Sequence, residues 1–245
     1  MGVETQNAPG TQLAEKTRLR RGLVFVVLLA LISISCVCST ENLPSFITDL
    51  VGGDSQQDTL PAGNILLQDD FNDPDSGWEV EQFDSGSVGY ANGKYFVIST
   101  ESAAAMWGAA GRNYSDVVIE VEATQVRAPS NSNNDYGVMC RLKFTGEGYS
   151  FNISGDGFYS IQKMVDNEFS DLVEWTESSA IRKGNATNNL RIVCDGTKLA
   201  LSVNGELLAE VNDNSFTSGD IALAATTYEM DATEIHFDNL IVREP

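Results

Sequence analysis

One stretch, TKLALSVNGELLAEV at residues 197–211, constrains the fold more than any other. Leu199, Leu201 and Val203 alternate with Lys198, Ala200 and Ser202, and Leu207, Ala209 and Val211 alternate after Asn204-Gly205. Alternation at period two puts one apolar face on each arm of a strand pair. Asn-Gly between the arms is the strongest short hairpin signal, because both residues accept positive φ at little cost. A two-residue loop sets Val203 opposite Glu206 and Leu199 opposite Glu210. A three-residue loop, Asn204 to Glu206, sets Val203 against Leu207, Leu201 against Ala209 and Leu199 against Val211. Register follows the buried face, so the sequence predicts the three-residue loop. It also predicts one buried and one wet face, the habit of antiparallel sheets.

The same texture fills the chain from Asn64 onward. NILLQDDF, KYFVIST, SDVVIEVEATQV, YGVMCRLKF, GYSFNIS, GFYSIQKMV, NLRIVCD, GDIALAATT and TEIHFDNLIV are short apolar or alternating runs. NDPDSG, ANG, APSNSNND, SGDG and CDG interrupt them with turn residues. No window of about 12 residues shows a clean helical period. Many short strands at this spacing predict a sandwich or barrel. About 180 residues exceed a seven-stranded immunoglobulin sandwich and suit a larger, all-β, two-sheet antiparallel jelly roll.

The first 63 residues read differently. Residues 1–21 end in a basic cluster, Lys16, Arg18, Arg20 and Arg21, and residues 22–40 carry no charge. Length and flanks fit a signal peptide or a short membrane anchor, with the basic side cytoplasmic and the rest exported. Three outcomes are open: lipidation at Cys36, a retained signal anchor, or cleavage. ISISC around Cys36 resembles a bacterial lipoprotein signal, but Ser33 stands where Leu, Ile or Val is usual. Residues 41–63, polar with Gly-Gly and two prolines, read as a linker. The expected location is the cell membrane, with the domain at 64–245 on its extracytoplasmic side.

Charge narrows the partners. The chain carries −20, and four of its 15 basic and six of its 35 acidic residues precede residue 64, so the remainder holds 11 basic against 29 acidic side chains. A net of −18 repels phosphate backbones, which excludes nucleic acid as a partner. Cys140 and Cys194 both sit in or at the end of strand patterns on the exported side. Cysteines in an oxidising compartment pair, which predicts a disulfide across neighbouring strands; the alternative is two buried thiols. His236 is the chain's single histidine, so a zinc site or a histidine-based nucleophile system has little to be built from.

Three segments carry a resemblance. DDFNDPDSGW, LSVNGELLAEV and IHFDNLIVREP resemble the opening loop, the hairpin and the closing strand of concanavalin A-like lectin/glucanase domains, laminin-G-like modules included. The last also resembles bacterial extracellular 3-keto-disaccharide hydrolase-like domains. The resemblance covers residues 64–245 and implies a jelly roll. It does not select a function, since lectins, hydrolases and adhesion modules share this fold.

The resemblance also frames the candidate sites. Related glucanases carry Glu-x-Asp-x-x-Glu on one strand, whereas here Glu120 and Glu122 are followed by Gln125. Retaining glycosidases need two carboxyl groups about 5–5.5 Å apart, which i, i+2 spacing approaches, but the third acid is an amide. First and last strands often meet in this superfamily, so Asp70 and Asp238 are candidate ligands for a structural calcium; otherwise no cofactor is expected. Trp107, Tyr136 and Tyr149, with Arg141 and Asn134, are candidates for stacking on and hydrogen bonding to sugar rings, as are Tyr159 and Trp175 unless they belong to the core. The expected function is a membrane-tethered extracellular carbohydrate-binding or adhesion module without catalysis and with a polysaccharide ligand. The alternatives are an enzyme acting on sugars, such as a 3-keto-glycoside hydrolase or lyase, and a structural envelope protein.

Overall fold

The computed structural model describes residues 63–245, and every regular element in them is a β-strand. The expectations for the basic stretch, the hydrophobic segment, Cys36 and nearly all of the linker lie outside the described residues. Among the described residues no helix is long and apolar enough to cross a membrane. The strands are β1 (Ile65–Asp69), β2 (Glu81–Phe83), β3 (Gly86–Ala91), β4 (Lys94–Ser99), β5 (Ala105–Ala109), β6 (Val117–Arg127), β7 (Asn134–Leu142) and β8 (Gly148–Ser154). They continue with β9 (Phe158–Val165), β10 (Glu168–Glu177), β11 (Thr187–Asp195), β12 (Lys198–Val203), β13 (Glu206–Asn212), β14 (Asp220–Thr227) and β15 (Thr233–Arg243).

Two antiparallel sheets form a sandwich. One has nine strands in the order β13-β12-β11-β6-β15-β4-β3-β2, with β1 paired to the C-terminal half of β15. The other has six, in the order β10-β9-β8-β7-β14-β5. Alternation builds the layer between them. On β6, Ile119, Val121 and Ala123 are buried while Glu120, Glu122 and Thr124 between them face out. The main core joins these to Val97, Tyr136, Val138, Phe151, Ile161, Leu201, Leu223 and Phe237.

The hairpin over residues 197–211 differs from expectation at its tip. Val203 faces Glu206 across a two-residue turn in which Asn204 and Gly205 have φ of 52° and 86°. Leu207 pairs with Ser202, and a register shift then restores Leu201 opposite Ala209 and Leu199 opposite Val211. The favoured two-residue turn and the favoured buried face both survive because a bulge at Leu208 absorbs the extra residue. Leu207, left on the strand edge, is 60% exposed.

The cysteines form the expected disulfide, but not between neighbouring strands. Cys140 is on β7 and Cys194 on β11, so the bond joins the two sheets through the core.

The DDFNDPDSGW segment closes the end of the sandwich around Asp69. The Asp69 carboxylate accepts from the Phe71 N–H at 2.8 Å, the Ser76 hydroxyl at 2.6 Å and the Trp78 indole N–H at 3.1 Å. Phe71, Trp78, Tyr90 and Tyr95 pack ring to ring beneath it. First and last strands do meet, with Asp69 opposite Leu240. The carboxylates named for calcium are otherwise engaged. Asp70 accepts from the Asn72 N–H, and Asp238 pairs with Lys94. Among the described residues no group of three or more His, Cys, Asp or Glu side chains could hold a metal ion.

Candidate functional site

The outer face of the six-stranded sheet does not follow the wet-face expectation. Every residue of β7 and β8 is buried, on both faces. The face is buried because bulky side chains at its margins, Trp107, Phe169 and Tyr228, stand around smaller ones at its centre, leaving a cleft of about 110 Å³.

Strand register explains the cleft. Across the middle of the face Trp107, Ala224, Gly137, Asn152 and Ser160 line up on β5, β14, β7, β8 and β9. The two smallest residues lie between a ring and an amide. Three strand spacings of about 4.8 Å separate Trp107 from Asn152, so the row forms a trough with an aromatic wall and a polar wall. Gly137 has no alternative here, since a Cβ would lie 1.9 Å from the Phe151 carbonyl oxygen. The next row is Ala109, Ala222, Met139, Ser150, Gln162 and Asp171. Met139, Met164, Ala222 and Ala224 pack with Trp107 into a small apolar cluster separate from the main core.

Polar groups continue across the other half. Ser150 donates to the Asn152 carbonyl oxygen at 2.7 Å, Asn152 donates to that of Gln162 at 3.0 Å, and Gln162 donates to the Asp171 carboxylate at 2.7 Å. At the margin the Tyr228 hydroxyl donates to Asp135 at 2.5 Å. Burial of its hydroxyl and the adjacent Asp135 charge push the Tyr228 phenol well above its ordinary range, so it keeps its proton. A broader depression of about 740 Å³, between the Arg112–Asp116 loop and Glu244, is open to solvent over most of its extent and is less suited to hold a small ligand.

Of the seven residues named for ligand contact, Trp107 alone lines the cleft. Asn134, Tyr136, Arg141 and Tyr149 are each at most 1% exposed. Asn134 bonds Gln125, Tyr136 accepts from Asn188, and Tyr149 donates to Asp213 at 2.5 Å. Burial alone would raise Asp213, but hydrogen bonds from Tyr149, Ser215 and Lys163 hold its carboxyl far below the usual range. Tyr136, buried in the core, is pushed up to about 12. Arg141 has φ of 53° in a strand whose pairing shifts at that point, and its guanidinium turns to the sandwich end. Strand parity turns Asn134, Tyr136 and Tyr149 inward and their neighbours Asp135, Gly137 and Ser150 outward, whereas Arg141 has outward parity and is drawn in by its left-handed backbone. Tyr159 also reaches inward, to the Leu208 carbonyl, and Trp175 is half-buried on the edge strand β10.

The carboxylates of the enzymatic alternative lie on the opposite side of the molecule. Glu120 and Glu122 face outward from the nine-stranded sheet. Glu120 is held by Arg243 at 2.8 and 2.9 Å and by Arg191 at 3.4 Å. His236 lies on the same sheet, 2.9 Å from Glu234.

Residues 67–243 match the 3-keto-alpha-glucoside-1,2-lyase-like domain family. The chain belongs to that family. This bears out the resemblance read from the opening loop, the hairpin and the closing strand. No curated protein matches the chain. Solved structures place this lyase-like domain in the concanavalin A-like fold. The carbohydrate binding module CBM66 from Bacillus subtilis superposes with a TM-score of 0.56 at 18% identity, over 69% of this chain and 96% of the module. The Bacillus licheniformis beta-glucanase gives 0.57 at 10% identity, over 75% of this chain and 99% of the enzyme. A Bacillus subtilis protein of unknown function with a galectin-like fold gives 0.56 at 10%, over 75% and 97%. At these identities the likeness establishes the shared sandwich and nothing finer.

Proposed function

We propose that the domain binds a neutral saccharide on the outer face of the six-stranded sheet, without catalysis, and is held outside the cell membrane by residues 22–40. The row Trp107–Ala224–Gly137–Asn152–Ser160 carries the reading. A pyranose ring offers an apolar face for an aromatic ring and hydroxyls for amides. The trough supplies both walls and a floor without side chains that would block it. The carbohydrate binding module and the glucanase share this fold, and the family's name refers to a glucoside; both support the ligand class. The tether reading draws on the uncharged run after the basic cluster, and the disulfide fits an oxidising compartment.

The test is calorimetric titration of the domain with neutral oligosaccharides. Trp107→Ala is expected to lower affinity about tenfold, or ~1.4 kcal/mol, the order a single aromatic contact contributes. Acidic polysaccharides are expected to bind less well, because a domain of net −18 repels them. Saturable binding untouched by Trp107→Ala would contradict the site.

One observation favours a second reading, an enzyme on sugars. The Asp135–Tyr228 pair offers a carboxylate and a protonated phenol in the cleft, the two partners that proton abstraction and leaving-group protonation require. Cleavage of a 3-keto-glycoside with release of its aglycone, abolished by Asp135→Asn, would establish it.

A further inference from the structure

The hydrogen-bond ladder across the polar half of the cleft has a fixed direction. A carboxylate only accepts, so Asp171 compels Gln162 to turn its nitrogen outward along the row and its oxygen toward Asn152. Asn152 must then present its nitrogen to Gln162 and its oxygen to Ser150, whose hydroxyl donates into the ladder. Each amide uses one N–H in the ladder and keeps a second, and Ser150 keeps its lone pairs. Asn152 and Ser150 are 4% and 3% exposed, so these groups sit in a desolvated cleft where a mismatch is costly. Beside them the Ser160 hydroxyl, fully buried on the same face opposite Asn152, has no hydrogen-bond partner. Met139 follows Gly137 on this face and adjoins Ser150 in its row.

We propose that the cleft reads the acetamido group of an N-acetylated sugar and that Asp171 is the positioning residue that sets this specificity. The inference rests on the reading that this cleft binds saccharide. An acetamido group combines a carbonyl that only accepts, an N–H that donates and an apolar methyl. The second N–H groups of Asn152 and Gln162 suit the carbonyl, the Ser150 lone pairs suit the N–H, and Met139 with Ala224 suits the methyl. A protonated amine carries three donors and no acceptor, so it meets donors where it needs acceptors. A plain hydroxyl satisfies either polarity but leaves the apolar part unfilled. Asp171 touches the ligand only through Gln162 and Asn152.

The experiment titrates the domain at moderate salt with short oligomers of N-acetylglucosamine, of glucosamine and of glucose. The N-acetylated oligomer is expected to bind about tenfold more tightly than the glucose oligomer. Asp171→Asn, whose amide faces Gln162 in either polarity, is expected to erase that preference, whereas Trp107→Ala weakens all sugars alike. The side-chain amide NMR signals of Asn152 and Gln162 report the ladder independently. They are expected to move together in Asp171→Asn, which a merely structural role for this exposed residue does not produce. Glucose or glucosamine oligomers binding as tightly as the N-acetylated one would overturn the inference, as would a preference that survives Asp171→Asn. In those cases a loss of binding in Trp107→Ala leaves the saccharide site standing; no binding of any oligomer removes both.

Discussion

Arg141→Met is expected to cost about 3–5 kcal/mol of folding free energy. The guanidinium is 1% exposed and donates to Ser115 O at 2.9 Å, Gly196 O at 2.8 Å, Phe216 O at 2.9 Å and Asp116 at 2.9 Å. Those partners belong to three different connections, β5–β6, β11–β12 and β13–β14, so one side chain ties together the end of both sheets. Methionine fills similar space but leaves three carbonyls without their donor. Asp116 side chain is about half exposed, and water can take its charge, so most of the loss comes from the carbonyls. The midpoint of urea unfolding reads the effect directly. A loss under about 1 kcal/mol would mean that water replaces the guanidinium and that the end of the sandwich is not held by it.

Removing the Cys140–Cys194 bond is expected to cost about 4 kcal/mol, the value of the chain-entropy model for a loop of this length. The bond spans 54 residues of sequence and joins the sheets inside the core. Both sulfurs are fully buried, so reductant is expected to leave the folded protein intact and to act once it unfolds. Unfolding free energies for the wild type and a Cys140→Ala, Cys194→Ala double variant measure the difference. It contains a cavity contribution from the removed sulfurs as well. Equal stabilities would contradict a bridge, and so would titratable thiols at Cys140 and Cys194, counted apart from Cys36 and Cys38, in the denatured, unreduced chain.

Local pattern made the sandwich legible. The alternation on β6 and β12, the Asn-Gly turn and the spacing of the breakers all act within a few residues, where period and turn chemistry decide. The meeting of first and last strands came through family resemblance. The candidate site was legible only at Trp107. Two physical causes hid the rest. First, Tyr136, Tyr149 and Arg141 belong to residue types common in sugar sites; strand parity turns the two tyrosines inward, while Arg141, of outward parity, is drawn to the end of the sandwich by its left-handed backbone. Second, the cleft is made by cross-strand rows, and which residue of β14 lies beside Gly137 depends on register between strands about 85 residues apart in sequence. Gly137 was the available signal. Glycine inside a strand marks a close approach, and once Tyr136 is placed in the core its two neighbours must face out. The disulfide pairing was legible by elimination, but not its course between sheets, which no single-strand pattern encodes.

On the proposed function, saccharide occupies the outer face of the six-stranded sheet. The most direct measurement is NMR titration of the isotope-labelled domain with a neutral oligosaccharide that binds it. The Trp107 indole N–H and the side-chain amides of Asn152 and Gln162 are predicted to shift in a saturable way, while signals near Glu120 and His236 on the nine-stranded sheet stay fixed. Saturable shifts centred on Glu120 and Glu122, with Trp107 unmoved, would contradict it.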